Sequence, residues 1–162
     1  MSEEPDVVVV GPDDLEAAIG QTPGLLRLEA ISAKRAGSQW IWMGYSLLQP
    51  GLVTGVHHHG DSETALFVLS GRGRWWVGED LDQAREAGPG DFVFIPPNVV
   101  HYEENCHPDR AVEMIVARST QEAIVVNLDG GPGHDLGQKQ FSLEELRNVA
   151  TQRLRELGQN GA

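Results

Sequence analysis

The chain has 162 residues, 40% of them apolar and 22% charged, which suits one domain with a real core and excludes a disordered polyelectrolyte. Its formal net charge of −12 speaks against nucleic acid or an anionic membrane surface as a partner and serves solubility first. A single cysteine, Cys106, rules out an internal disulfide and points to a reducing, cytoplasmic setting.

In chain order, Met1 to Asp6 is acidic and lacks the basic-then-apolar pattern of a signal peptide. Val7 to Val10 is a β-branched run, expected as a strand or an extended arm. Pro12, Asp13 and Asp14 resemble a helix start, with Leu15, Ala18 and Ile19 on one face and Gly20 as the stop, so a short helix is predicted there. It is stable only if it packs on something. Leu25 to Ala30 alternates weakly as a strand. Gln39 to Leu48 is strongly strand-like, and Pro50-Gly51 marks a turn. Further strands are predicted over Val53 to His59, Thr64 to Leu69, Arg74 to Val77, Phe92 to Ile95, Ala111 to Arg118 and Ala123 to Leu128. The 19 glycines and 9 prolines punctuate them, densely at Gly88-Pro89-Gly90-Asp91 and at Pro96-Pro97. Many short strands between turns indicate an all-β sandwich or barrel. Gly130 to Gly137 is a loop or linker. Ser142 and Glu145 then form a capping-box pattern, and Leu143, Leu146, Ala150, Leu154 and Leu157 recur at helical spacing up to Gly158. This amphipathic helix is expected on the outside of the barrel or on a partner subunit. No apolar run approaches the roughly 18 residues that a membrane-spanning helix needs.

Chemistry concentrates in two segments. The first runs from Gly51 through His57-His58-His59 and Glu63 to Gly71. Side chains two apart on a strand share a face, so His57 and His59 can approach one ion while His58 points away. A carboxylate just beyond could supply an anionic oxygen, and imidazole with carboxylate suits Fe, Mn, Ni, Zn or Cu better than Ca or Mg. The second segment spaces Gly90, Pro96, Asn98, His101 and Asn105, with His101 just past a turn. Cys106 has no evident activator.

These segments resemble the two motifs of the cupin superfamily: Gly, five residues, His-x-His, three or four residues, Glu, six residues, Gly; and Gly, five residues, Pro-x-Gly, two residues, His, three residues, Asn. The resemblance implies a cupin-type double-stranded β-helix (jelly-roll) barrel over residues 25–128. An arm and short helix would precede it over 1–24, and a linker and C-terminal helix would follow over 129–162. It implies one divalent transition metal held by His57, His59, His101 and Glu63. The carboxylate departs from the pattern. At the four-residue spacing Thr64 takes the Glu position, and a one-residue shift on a strand would turn Glu63 outward, leaving three histidines. Asn98 replaces a glycine but tolerates the left-handed conformation.

As catalytic candidates Glu63 serves as ligand or base, and Tyr102 or Glu103 as its support. Arg72, Arg74 and Arg118 would clamp an anion only if they point inward. The resemblance implies a metal-dependent enzyme on a small organic molecule, an oxygenase or a Lewis-acid isomerase or lyase. The alternatives are a non-catalytic small-ligand sensor and a storage or structural dimer. Cupins often pair through outer sheets and N-terminal strands, so a homodimer is expected.

Overall fold

The computed structural model describes residues 6–18, 22, 24–132 and 142–159. Its strands are β1 (Glu16–Ala17), β2 (Leu25–Ile31), β3 (Trp42–Leu48), β4 (His57–His58), β5 (Thr64–Ser70), β6 (Gly73–Val77), β7 (Gln83–Ala87), β8 (Phe92–Ile95), β9 (Tyr102–Glu104), β10 (Val112–Arg118) and β11 (Val126–Asn127). The helices are the single turn α1 (Ala33–Ala36) and α2 (Leu143–Gln159).

One antiparallel sheet has the order β1-β2-β3-β10-β5-β8. Opposite it lie the ladders β7-β6-β9 and β11-β4. Single bridges, Val53 to Glu104 and His57 to His101, stitch those two ladders together. Sequence neighbours are therefore often far apart in the sheets, as a jelly roll requires.

Alternation within the strands decides what faces the interior. On β2, Leu25 and Arg27 point into the barrel while Leu26 and Leu28 point out, yet all four are buried. The large sheet is covered on both faces, so polar-out patterning is lost there. Trp42, Leu48, Leu66, Val68, Trp75 and Met114 fill the inside. A second cluster of Leu15, Leu26, Leu28, Tyr45, Leu47 and Ala150 packs between the sheet and α2. The C-terminal helix thus lies on its own barrel. Its start is the predicted capping box: Glu145 N–H donates to Ser142 Oγ at 3.2 Å and Ser142 N–H to Glu145 Oε2 at 2.7 Å. Arg153 from the helix reaches Glu113 on β10 at 3.3 Å, and Glu113 also accepts from Tyr45 and Ser70.

The predicted N-terminal helix is corrected to a single 3-10 turn, Pro12–Asp14. Strand pairing wins over a marginal helix: Glu16 and Ala17 pair with Glu29 and Leu28 at the free edge of β2. Leu15 and Ala18 both bury, but into different clusters. Ile19 and Gly20 lie outside the described residues, as do 133–137 of the predicted loop. Val7 to Val10 forms no strand, and Val7 to Val9 are exposed. Strand β7 (QAREA) was not read from the sequence, being polar and exposed except at Ala87.

Gly71, the closing glycine of the first motif, has φ +76°, and a Cβ there would collide with the Ala111 carbonyl. Only glycine serves both demands. Among the described residues no helix is long and apolar enough to cross a membrane.

Candidate metal centre

The two motifs meet through the backbone. His57 N–H donates to His101 C=O at 2.9 Å and His101 N–H to His57 C=O at 3.0 Å. This reciprocal pair sets both side chains on the inner face. The turns beyond them are also tied, since Asn98 N–H donates to Gly60 C=O at 2.7 Å and Asn98 Nδ2 to Asp61 at 2.9 Å. Asn98 itself adopts φ +59°, the left-handed turn that glycine usually fills. Asn105, the last motif residue, is structural: its buried amide donates to the carbonyls of Leu48, Gln49 and Arg110.

His57, His59 and His101 converge, with candidate ligand atoms all within 4.8 Å of one another. Ring centroids are 4.5 to 5.1 Å apart. Each Nδ1 lies against a backbone carbonyl: Gly55 at 2.9 Å, Ile124 at 3.1 Å and Val99 at 2.8 Å. That contact places the proton on Nδ1 and leaves the Nε2 lone pair free. The Nε2 atoms of His57 and His101 are buried and have no hydrogen-bond partner. Buried polar atoms rarely go unpaired, so a metal ion fits this donor set.

Glu103, on the inner face of β9, approaches the same atoms. Its carboxylate lies 3.6 Å from His57 Nε2 and 3.8 Å from His101 Nε2. Thr54 fixes it, accepting the Glu103 N–H at 2.8 Å and donating to Oε2 at 2.9 Å. Burial acts to raise the Glu103 carboxyl, but His57, His101, Arg27 and the Thr54 hydroxyl together hold it below the usual carboxylate range.

Glu63 does not join this group. It sits one residue before Thr64, which faces inward, so alternation turns the Glu63 side chain to solvent. Tyr102 also points outward and stacks on Trp76 at 6.0 Å. His58 turns away and accepts from Gly60 N–H. Cys106 and His107 are exposed, and His134 lies outside the described residues. Arg118 is buried inside, whereas Arg72 is exposed and Arg74 pairs with Glu86 and Glu104 on the outer face. Sequence reasoning passed over Thr54 and Arg27. Arg27 carried a signal, a lone charge within a leucine-rich strand.

Burial pushes His57 down to about 4, against the pull of Glu103. Burial also lowers His59, with Arg118 adding to it. Both imidazoles are neutral near pH 7, as ligation requires. In metal-free protein the unfolded chain binds these protons near 6.5, while folded His57 does not until about 4. Stability should therefore rise with pH across that window and fall as pH drops through it. Denaturation in the presence of a chelator over a pH series checks this; a flat profile would contradict it.

The cupin domain family matches residues 44–118, which span both histidine motifs. Together with the double-stranded β-helix just described, this match supports a cupin superfamily member. Similar solved structures include the polyketide cyclase RemF from Streptomyces resistomycificus, at 19% identity and TM-score 0.64 over 92% of this chain and 99% of that one. An uncharacterized conserved protein with a double-stranded β-helix domain from Klebsiella pneumoniae matches at 14% identity and TM-score 0.57, over 77% of this chain and all of that one. Oxalate decarboxylase from Bacillus subtilis matches at 15% identity and TM-score 0.60, over 77% of this chain and 33% of that one. At these identities the likeness is one of fold. No curated protein matches the chain.

Proposed function

We propose that the chain is a metal-dependent cupin enzyme acting on a small organic molecule, as an oxygenase or a Lewis-acid isomerase or lyase. The observation that carries this is the pair of buried, unpartnered Nε2 atoms within a trio of imidazoles oriented by backbone carbonyls. His57, His59 and His101 hold the ion. Glu103, rather than Glu63, is the carboxylate placed to complete the set or to act beside it. The donor chemistry suits Fe, Mn, Ni, Zn or Cu. A bound ion supplies Lewis-acid polarisation or, for a redox-active metal, electron transfer.

The chain's own residues do the rest. Glu103, kept ionised and hydrogen-bonded to Thr54, is positioned to take a proton from a ligand lodged beside the histidines. The aliphatic inner wall excludes bulk water. The similar folds named as a polyketide cyclase and an oxalate decarboxylase support an enzymatic reading.

The second reading, a non-catalytic ligand-binding or sensing cupin, draws on the small interior: the cavity beside His59 has room for about one water molecule. Elemental analysis of freshly purified protein, then turnover and O₂ uptake by the reconstituted Fe, Mn, Ni and Zn forms across thiols, catechols, diketones and oxalate, separates the two. Metal-dependent turnover is expected. Ligand-induced thermal stabilisation without turnover would favour the sensor.

A cytoplasmic homodimer belongs to the same proposal. Phe92 and Phe94 are exposed on the edge strand β8, with Phe67 beside Phe92 at 4.8 Å between ring centroids. An apolar edge of this kind calls for a cover. Light scattering at micromolar concentration should give twice the chain mass, and a monomeric mass would refute the dimer.

A further inference from the structure

The histidine trio is shut away from solvent. His57 and His101 are 0% exposed and His59 2%, and the cavity beside His59 has room for about one water molecule. A hydrated ion or a small organic molecule needs more space than that. Either an ion is enclosed as the chain folds, or part of the wall opens. Residues 121–128, which follow β10 and include β11, run along the side of the site nearest His59. Ile124 C=O accepts from His59 Nδ1 at 3.1 Å and from Arg118 Nη1 at 2.6 Å. The Ile124 side chain lies beside Gly60. Val126 and Asn127 pair with His58 and His57, and Leu128 N–H donates to Val56 C=O at 2.8 Å.

This segment is lightly held. Ala123 is the one buried residue among 121–128, and a methyl group buries little area. Strand β10 before it pairs with β3 over its whole length and with β5 on its other edge. Strand β11 has a partner on one edge only, over two residues. His101, by contrast, is clamped to His57 through two backbone hydrogen bonds, and the β9 that follows it pairs with β6. The ends of the segment suit a hinged movement. Ser119 is pinned, its N–H donating to Glu63 C=O at 3.2 Å and its Oγ accepting the Glu63 N–H at 3.0 Å. At the far end Gly130 has φ +84°, and a Cβ there would meet nothing within 4 Å. Between them, Gln121 Nε2 reaches Ile41 C=O only at 3.5 Å. Arg118 is the main side-chain tie. It is buried, and Ile124 C=O is its one hydrogen-bond acceptor among the described residues. Its Nε has none, so water reaching it on opening offsets part of the bond lost.

We propose that residues 121–128 form a strap that opens and recloses over the histidine trio, pivoting near Gly130, with Arg118 as its latch through the Ile124 carbonyl. The strap governs access to the metal centre. It rests on the metal-dependent reading for what passes, but not for the motion. Closure returns the Ile124 carbonyl to His59 Nδ1, so that ring is aimed for ligation only when the strap is shut. One carbonyl thus serves both the latch and a ligand.

Hydrogen exchange on the metal-free full chain tests the motion. Amides of 123–128 should exchange about a hundredfold or more faster than those of β3 and β10. Arg118→Gln should speed the strap about tenfold or more beyond any change in β3. A cross-link tests passage. His58 and Val126 are partners in an antiparallel ladder, where Cα atoms lie about 4.5–5.5 Å apart, a span that a disulfide bridges. Oxidised His58→Cys/Val126→Cys, in a Cys106→Ser background, holds the strap shut without replacing a proposed ligand. Zinc uptake by this folded protein, timed by elemental analysis after desalting, should be about tenfold or more slower than by Cys106→Ser alone. Zinc added before oxidation should stay bound, which separates a closed entrance from a damaged site. Strap amides no faster than those of β3, or cross-linked protein that takes up zinc at the control rate, would each overturn the proposal. Should the disulfide not form or Arg118→Gln not fold, exchange in the wild-type chain decides. Protein that takes no zinc even when refolded with it sinks the metal reading, and fast strap exchange then leaves this one standing. Zinc taken up only on refolding, with slow strap exchange, does the reverse.

Discussion

Replacing His101 by alanine is expected to strip the protein of its metal while leaving the barrel folded. The side chain supplies one of three converging imidazoles, and a site reduced to two should lose at least about a hundredfold in affinity, since loss of a mere supporting contact costs about ten- to a hundredfold. The fold should persist, because the clamp to His57 runs through backbone N–H and C=O groups that alanine retains. Elemental analysis after dialysis against a competing chelator checks the first point, and circular dichroism the second. Two companions sharpen the result. Glu63→Gln should keep its metal, because that side chain is exposed and apart from the histidines. Glu103→Gln should weaken binding by an intermediate amount, since its carboxylate lies within 4 Å of two of the three Nε2 atoms. A His101→Ala protein with wild-type metal content would remove the centre from consideration.

Trp42→Ala should be the most damaging single change to stability. Trp42 is 0% exposed, packs in the inner core, donates from Nε1 to Glu29 at 2.9 Å and underlies Arg118. Truncating a buried indole costs about 3–5 kcal/mol through lost burial and the cavity left behind. For a domain of this size that lowers Tm by about 10 °C or more. Trp40→Ala, two residues away but 78% exposed, should change stability by no more than about 0.5 kcal/mol. Thermal unfolding of the pair measures the contrast, and equal Tm shifts would contradict the assignment of Trp42 to the inner core.

The barrel and the histidine trio were legible in the sequence because each rests on local spacing. His57 and His59 share a face by strand geometry alone, and the turn residues around Asn98 deliver His101. Strands such as Phe92–Ile95 announced themselves by β-branched and aromatic runs between breakers. Other features depend on tertiary context. Gln83–Ala87 is a strand because it hydrogen-bonds to β6, not because its residues prefer one. The N-terminal helix signal lost to an open sheet edge that no local pattern discloses. Glu63 shows how a one-residue phase decides between interior and solvent. The carboxylate that reaches the histidines came instead from the next strand of the second motif, where Glu103 sits two residues after His101 and therefore on the same face.

The ring contacts at Gly55, Val99 and Ile124 carry a consequence for how such a centre is filled. Each imidazole is aimed by main-chain atoms of its own neighbourhood, so its direction is set before any ion arrives. Binding of an ion by these rings would then require little reorientation of them. Three imidazoles alone do not name the ion, since affinity for such donors follows one general order and geometry, ligand type and supply decide within it.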